Sequence, residues 1–143
     1  MPNKPSKKIT ILVVDDDPST VETLKTMEQK LGSINVLKSH NGFDAIAVAV
    51  EKNPDIILLD VATPFLDFRM PELNGIQTLK VLKEIDFTKH INVVMLFENI
   101  DYPNLAELLK IGATDCISKP FGRKILKEKL SKLYPNIFSN KYF

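Results

Sequence analysis

The sequence predicts a doubly wound α/β fold, in which a five-stranded parallel sheet carries helices on both faces. Three observations predict it. Three short runs are apolar without the alternation of a strand that has one solvated face: Ile9 to Val14, Ile56 to Leu59 and Val93 to Phe97. Segments with apolar residues at helical spacing separate these runs. Strand and helix therefore alternate along the chain, which favours right-handed crossovers between parallel strands.

The first two strand–helix units follow one another closely. The run from Ile9 to Val14 leads to Asp17, a capping residue, and to Pro18, which suits the first position of a helix. A weaker strand around Asn35 to Lys38 precedes a second helix from Phe43 to Val50. The order is thus strand, helix, strand, helix before the second apolar run begins.

Three further units complete the order. The second apolar run precedes a helix with apolar residues from Ile76 to Ile85, and the third precedes a helix that ends near Gly112. A weak strand at Thr114 to Ser118 leads into a last helix from Ile125 to Leu133, apolar on one side and rich in lysine on the other.

Composition indicates a soluble chain with one domain. Its 143 residues suffice for one core, and 19 basic against 18 acidic residues give no electrostatic reason to expect direct nucleic-acid or membrane binding. No apolar run approaches the roughly 20 residues that span a bilayer, so we expect a cytoplasmic protein. The predicted domain comprises residues 8–133, between a disordered segment at 1–7 and a tail at 134–143.

Acidic side chains and one lysine follow the predicted strands: Asp15, Asp16 and Asp17 after the first, Asp60 after the third, and Lys119 at the end of the fifth. The carboxyl ends of parallel strands share the edge where such folds bind ligands, so we expect these groups to meet there. Helix capping explains Asp17 alone. Close carboxylates repel unless a cation lies between them, and hard oxygen ligands suit Mg²⁺.

A site of this kind can take up a phosphoryl group. A carboxylate beside Mg²⁺ can attack phosphorus, and the product is an aspartyl phosphate. The metal offsets the charge of the transferring group, and Lys119 can pair with one of its oxygens. Each residue taken alone also fits a common surface role, as a loop acid after a strand or as a lysine ahead of a loop proline.

Four stretches carry a recognisable pattern: ILVVDDDP, PDIILLD, the spacing D-x-x-M-P-x-x-N-G, and GATDCISKPF. With them the chain resembles the receiver domain of two-component response regulators from Lys8 to Leu133. The resemblance implies a flavodoxin-like (βα)5 fold and transfer of a phosphoryl group to one aspartate from a histidine kinase or a histidine phosphotransfer protein. We also expect a monomer or weak dimer that is not an enzyme and that signals by binding a downstream protein target.

The resemblance assigns roles to particular residues. In the family the acidic pair after the first strand helps to hold Mg²⁺, and here that pair is Asp15 and Asp16, with Asp16 expected as the direct ligand. The lysine that precedes a proline in the family, often through a cis peptide bond, corresponds to Lys119 before Pro120.

The acceptor position occurs twice. The upstream half of the family pattern ends at Asp60, and the downstream half begins at Asp67, seven residues later. A strand before Asp67 would hold Pro64 at its middle, where proline removes a hydrogen bond of the sheet. We therefore assign Asp60 as the phosphoacceptor and the carbonyl of Ala62 as a further Mg²⁺ ligand. Asp67, which has the closer downstream match, remains an alternative acceptor, an additional metal ligand or a solvated loop acid.

Two residues depart from the family pattern. A serine or threonine that binds the phosphoryl group usually follows the fourth strand, but Phe97 occupies that position and has no donor to offer. An aromatic residue is common three places before the lysine, where this chain has Cys116. In the family these two residues move together on phosphorylation, so we expect weaker or differently routed switching. Cys116 fits a small apolar residue in a strand, or a redox sensor.

Two other functions compete with a phosphorylatable receiver. A pseudo-receiver would keep the fold and an interaction surface without depending on phosphorylation; the two departures and the insertion favour it, whereas the strand-end acids and the lysine oppose it. A phosphatase with an aspartate nucleophile would need a second acid two residues later. At that spacing Ala62 follows Asp60 and Arg69 follows Asp67, so we expect no turnover of external substrates.

Overall fold

The computed structural model describes residues 8–15, 17–62, 74–98 and 105–138. In these ranges the strands β1 to β5 are Ile9–Val14, Ile34–Ser39, Ile56–Asp60, Asn92–Glu98 and Asp115–Lys119. The helices α1 to α6 are Pro18–Leu31, Gly42–Lys52, Gly75–Glu84, Leu105–Ile111, Arg123–Leu133 and Pro135–Phe138. None of these helices has both the length and the apolar character that crossing a membrane requires.

The strands form one parallel sheet in the order β2-β1-β3-β4-β5. The order changes direction at β1, and helices cover both faces, which confirms the predicted doubly wound, flavodoxin-like fold. The register of the central strands is fixed along their length, with Val14 paired to Leu59 and Asp60 paired to Leu96. The ends of β1, β3 and β4 therefore lie side by side at the carboxyl edge.

Two apolar cores lie on opposite faces of the sheet, because successive side chains of a strand point to opposite faces. Ile11 and Val13 face α1 and α5, whereas Leu12 and Val14 face α2, α3 and α4. All four apolar residues of β3, Ile56 to Leu59, have no solvent exposure. Full burial of such a side chain contributes about 2 kcal/mol, so β3 is anchored from both sides up to Asp60.

The helix ends follow the expected local chemistry. The side chain of Asp17 accepts a hydrogen bond from the Ser19 N–H at 2.9 Å, which confirms the predicted cap of α1. Asn41 and Asn74 cap α2 and α3 in the same way. Gly112 follows α4 with a φ of 131°, a conformation that favours glycine, and this confirms the predicted end of that helix.

The segment predicted as a tail begins with ordered structure. The short α6 lies in it, and Tyr134 and Ile137 pack against the core beneath α1 and α5. The Tyr134 hydroxyl donates to the Asp55 carbonyl at 3.1 Å and accepts from the Asn92 amide at 3.2 Å. The described part of 134–143 is thus an anchored extension of the domain, while 1–7 lies outside the residues that the structure describes.

Both edge strands have a backbone N–H occupied by a carboxylate. On β2 the Val36 N–H donates to Glu28 Oε2 at 2.7 Å. On β5 the Cys116 N–H donates to Asp115 Oδ1 at 2.8 Å, and Lys129 pairs with the same carboxylate at 3.1 Å. An edge strand normally offers such groups to other chains.

Helix α3 begins directly against the end of β3. The Gly75 N–H donates to the Val61 carbonyl at 3.2 Å. A Cβ atom on Gly75 would lie 2.7 Å from Val61 Cα and closer still to the Asp60 carbonyl oxygen. The chain therefore leaves β3 and enters α3 at one point, and the predicted insertion lies between these two anchored ends.

Replacing Gly75 by alanine should lower the free energy of unfolding by about 1–3 kcal/mol, the usual cost of forcing an extra methyl group into a packed site. Urea unfolding followed by circular dichroism measures this loss. Gly122→Ala is the matched control, because a Cβ atom there meets nothing within 4 Å. It should lose less than about 1 kcal/mol, and equal losses in both variants would contradict the close contact of α3 with β3.

Candidate functional site

Three predicted site residues meet at the carboxyl edge of the sheet. Asp15 directly follows β1, Asp60 ends β3, and Lys119 ends β5. The Lys119 Nζ atom lies 2.7 Å from Asp15 Oδ2 and 2.8 Å from Asp60 Oδ2. Because β4 separates β3 from β5, the long lysine side chain crosses the end of β4 to reach both acids.

The backbone fixes the other oxygen of each acid. The Asp17 N–H donates to Asp15 Oδ1 at 3.0 Å, and the Ala62 N–H donates to Asp60 Oδ1 at 3.0 Å. Both are tight turns in which an aspartate side chain accepts from the residue two places on. Each acid therefore presents its Oδ2 atom to Lys119, which is itself only 7% exposed.

Burial and charge shift the pKa values of the cluster. Removal from water raises the pKa of Asp15, and the nearby carboxylate of Asp60 raises it further. Hydrogen bonds from Lys119 and from the Asp17 N–H lower it, but the pKa remains above its ordinary value. Burial lowers the pKa of Lys119, but its contacts with Asp15 and Asp60 outweigh burial, and the pKa is raised. The lysine thus stays charged and offsets the repulsion between two acids.

The described oxygen atoms fit a hard divalent cation. Asp15 Oδ2 is buried, and no donor in the described ranges is aligned to hydrogen-bond with it, although Lys119 Nζ is close. Two carboxylates exceed one lysine by one negative charge, and such oxygen ligands suit Mg²⁺.

The remaining predicted ligands stay predictions. Asp16 lies outside the described residues, and the carbonyl of Ala62 is a ligand by prediction only. Within the described ranges, no three side chains of Asp, Glu, His or Cys are grouped to share a metal ion.

Of the two candidate acceptors, Asp60 and Asp67, the structure describes only Asp60. Asp60 belongs to β3 and joins the cluster, whereas Asp67 and Pro64 lie outside the described residues. The Lys119–Pro120 peptide bond is cis, as the resemblance led us to expect.

The two departures from the family pattern share one core. Phe97 is 5% exposed and packs beneath α2, α3 and α4, and half-buried Cys116 packs against the same core from the neighbouring strand. Burial raises the pKa of the Cys116 thiol, Asp115 raises it further, and Lys129 opposes them. A raised pKa keeps the thiol protonated and unreactive, which favours the packing role over the redox sensor.

Sequence reasoning gave no role to the Ala62 N–H or to Glu98. The first is recoverable, because an aspartate that follows a strand commonly accepts a hydrogen bond two residues on. The second is the last residue of β4 and the register partner of Lys119. The position of Glu98 beside Lys119 could not be predicted, because the weak apolar pattern of β5 does not determine its register with β4.

Comparison with known proteins provides a family assignment for these features. The family model of the response regulator receiver domain matches residues 11–131. The transcriptional regulatory protein ZraR of Salmonella typhimurium is 38% identical over 125 residues, which are 87% of this chain. That match spans only 26% of ZraR, so the chain corresponds to about a quarter of that relative.

Two further matches span nearly the whole of the compared chain, one a complete protein and the other a separate receiver domain. Protein PilH of Pseudomonas aeruginosa is 31% identical over 121 residues, 85% of this chain and 93% of PilH. The receiver domain of sensor histidine kinase PA1611 from the same species has magnesium coordinated in its active site cleft. It superposes with a TM-score of 0.71 at 22% identity, over 93% of this chain and 99% of that one, and supports the fold.

Replacing Asp15 by asparagine should stabilise the metal-free protein at neutral pH, because the raised pKa means that the ionised Asp15 carboxylate is disfavoured in the folded state. The ordinary pKa of an aspartate is 3.8, and the pKa of Asp15 in the folded protein is higher. The wild type should therefore lose stability as the pH rises from 3.8 through the folded pKa. The advantage of the variant should therefore be present above that window and shrink as pH falls towards 3.8.

Urea unfolding with a chelator present, between neutral pH and the acid limit of folding, measures this dependence. The control is Asp86→Asn, because the Asp86 side chain is 90% exposed and should show no such trend. A loss of stability in Asp15→Asn at neutral pH, or a gain independent of pH, would contradict the assigned electrostatics.

Proposed function

The chain belongs to the response regulator receiver domain family of two-component signalling, and from this membership we propose that Asp60 accepts a phosphoryl group in a Mg²⁺-dependent reaction. One observation carries the proposal. The carboxylate that ends β3 lies 2.8 Å from a buried lysine that also holds the acid following β1. The carboxylate of Asp60, the ammonium group of Lys119 and the carboxylate of Asp15 thus lie together at the carboxyl edge of the sheet.

The donor we propose is the phosphohistidine of a histidine kinase or a histidine phosphotransfer protein. An oxygen of Asp60 attacks phosphorus while the P–N bond breaks; the imidazole nitrogen keeps the electron pair and takes up a proton. Lys119, already in contact with Asp60, offsets the charge of the transferring group. When bound by Asp15, Asp16, Asp60 and the Ala62 carbonyl, Mg²⁺ supplies charge neutralisation and orientation.

Asp60 rather than Asp67 is the acceptor in this proposal. The strand Ile56–Asp60 pairs without interruption with β4, and it places Asp60 beside the lysine. The Gly75 N–H donates to the Val61 carbonyl, so the start of α3 holds the end of β3 next to Asp60. These observations support Asp60 without describing Asp67.

Signalling in this proposal runs through a downstream protein partner rather than through enzymatic turnover. Ala62 is not the acid that a phosphatase would need two residues after Asp60. A formal net charge of +1 gives no reason for direct nucleic-acid binding. We propose a cytoplasmic protein that acts as a monomer or weak dimer.

A second candidate, the pseudo-receiver, draws on Phe97. The ring fills the core beneath α4 and supplies no hydroxyl where the family has one. Phosphorylation of Asp60 would then lack the contact that the family uses to move the surface around α4 and β5. Such a protein would bind its partner independently of phosphorylation.

Acetyl phosphate with Mg²⁺ should add the mass of one phosphoryl group to the intact protein, because Asp60 is paired with Lys119, which can offset the charge of the transferring group. Mass spectrometry should show that Asp60→Asn loses this gain and that Asp67→Asn, the matched control, keeps it. The reverse pattern would move the acceptor to Asp67. No gain in the wild type would favour the pseudo-receiver.

Beryllofluoride, a phosphoryl mimic, should shift backbone NMR signals of the strand ends but leave α4 and residues 115–118 nearly unchanged, because Phe97 has no hydroxyl to bind it. The double variant Phe97→Thr, Cys116→Tyr restores the family pair and should extend the shifts to α4. Cys116→Tyr alone is the control. Extensive shifts on α4 in the wild type would contradict the interrupted coupling.

A further inference from the structure

Glu98 lies at the border of the proposed phosphoryl site. It is exposed and ends β4, the strand that separates β3 from β5. Its register partner is Lys119, whose side chain crosses the end of β4 to reach Asp60. Glu98 therefore stands beside the path of the lysine that the proposed reaction uses.

Strand alternation places Glu98 on the same face as the acid cluster. Leu96 packs in the core beneath α1 and α5, and Phe97 packs on the opposite face, so Glu98 returns to the face of Leu96. Asp60 and Lys119 belong to that face too, because the residues two places before them, in β3 and β5, lie in the same core. Three charged side chains thus occupy one face at the carboxyl edge.

We propose that Glu98 determines which phosphodonors the site accepts: its carboxylate disfavours small, strongly anionic donors relative to phosphohistidine on a protein. This inference rests on the proposed phosphorylation of Asp60. By strand register Glu98 places a further negative charge on the face of the sheet where two acids already outnumber one lysine. Coulomb repulsion grows with the charge of the incoming donor, so a dianion is penalised more than a monoanion.

A protein donor escapes most of this penalty. Its affinity comes from contacts over a whole interface and from complementary charge outside the reacting group. A small donor has only its phosphoryl group for binding, and Phe97 next to Glu98 offers no hydrogen-bond donor to offset the repulsion.

Two small donors of different charge test the proposal. Acetyl phosphate carries about two negative charges at neutral pH and phosphoramidate about one. With acetyl phosphate the Asp60 oxygen bonds to phosphorus while the P–O bond breaks and acetate leaves with the electron pair. With phosphoramidate the P–N bond breaks, and the nitrogen takes up a proton and leaves as ammonia.

Glu98→Gln keeps the size of the side chain and removes its charge. With Mg²⁺ at low ionic strength, intact-mass kinetics should show phosphorylation by acetyl phosphate accelerated on the order of fivefold, and by phosphoramidate clearly less. Added salt should reduce the difference. The control is Glu51→Gln, in the last turn of α2 at the opposite edge of the sheet, which should match the wild type.

Unchanged rates in Glu98→Gln, or equal acceleration with both donors, would overturn the charge mechanism. If no protein gains mass, the proposed function fails, and titration with inorganic phosphate then decides the role of Glu98. Followed by the amide signals of Asp60 and Lys119, phosphate should bind several-fold more tightly to Glu98→Gln than to the wild type. Equal affinities, or binding to neither protein, would contradict the inference.

Discussion

The ion pairs of Lys119 with Asp15 and Asp60 are the constraint on which the carboxyl edge of the sheet depends. They join the ends of β1, β3 and β5, and they place more negative than positive charge in a largely buried space. Removing these charged groups from water costs free energy, and the attraction between Lys119 and the two acids offsets only part of that cost. The fully buried residues Ile11 to Val14 of β1 and Ile56 to Leu59 of β3 offset the rest, because they hold the backbone beneath both acids.

Most of the fold was predictable because its signals are local. The apolar runs of β1, β3 and β4, the Asp17 cap and the glycine after α4 are signals that act within a few residues of where they stand in the chain. The meeting of Asp15, Asp60 and Lys119 was predictable for a different reason: parallel topology brings carboxyl ends together whatever the side chains are. The anchoring of Tyr134 was not, because its partners Asp55 and Asn92 are distant in sequence.

The departures from the family pattern leave the charged cluster intact. Asp15, Asp60 and Lys119 follow the pattern, whereas Phe97 at the end of β4 and Cys116 in β5 do not. The residues that follow the pattern supply charge for chemistry, and the two that depart from it pack in the core beneath α2, α3 and α4. The contact of Gly75 with Val61 holds the start of α3 against the end of β3.

The carboxylates of Glu28 and Asp115 each occupy a backbone N–H of an edge strand, β2 and β5, and so hinder pairing with a strand of another chain. A neighbouring chain that approached either rim in extended form would find those main-chain groups already engaged and would meet negative charge instead. Edge-to-edge stacking of copies, the arrangement of amyloid fibrils, is thereby disfavoured at these two positions.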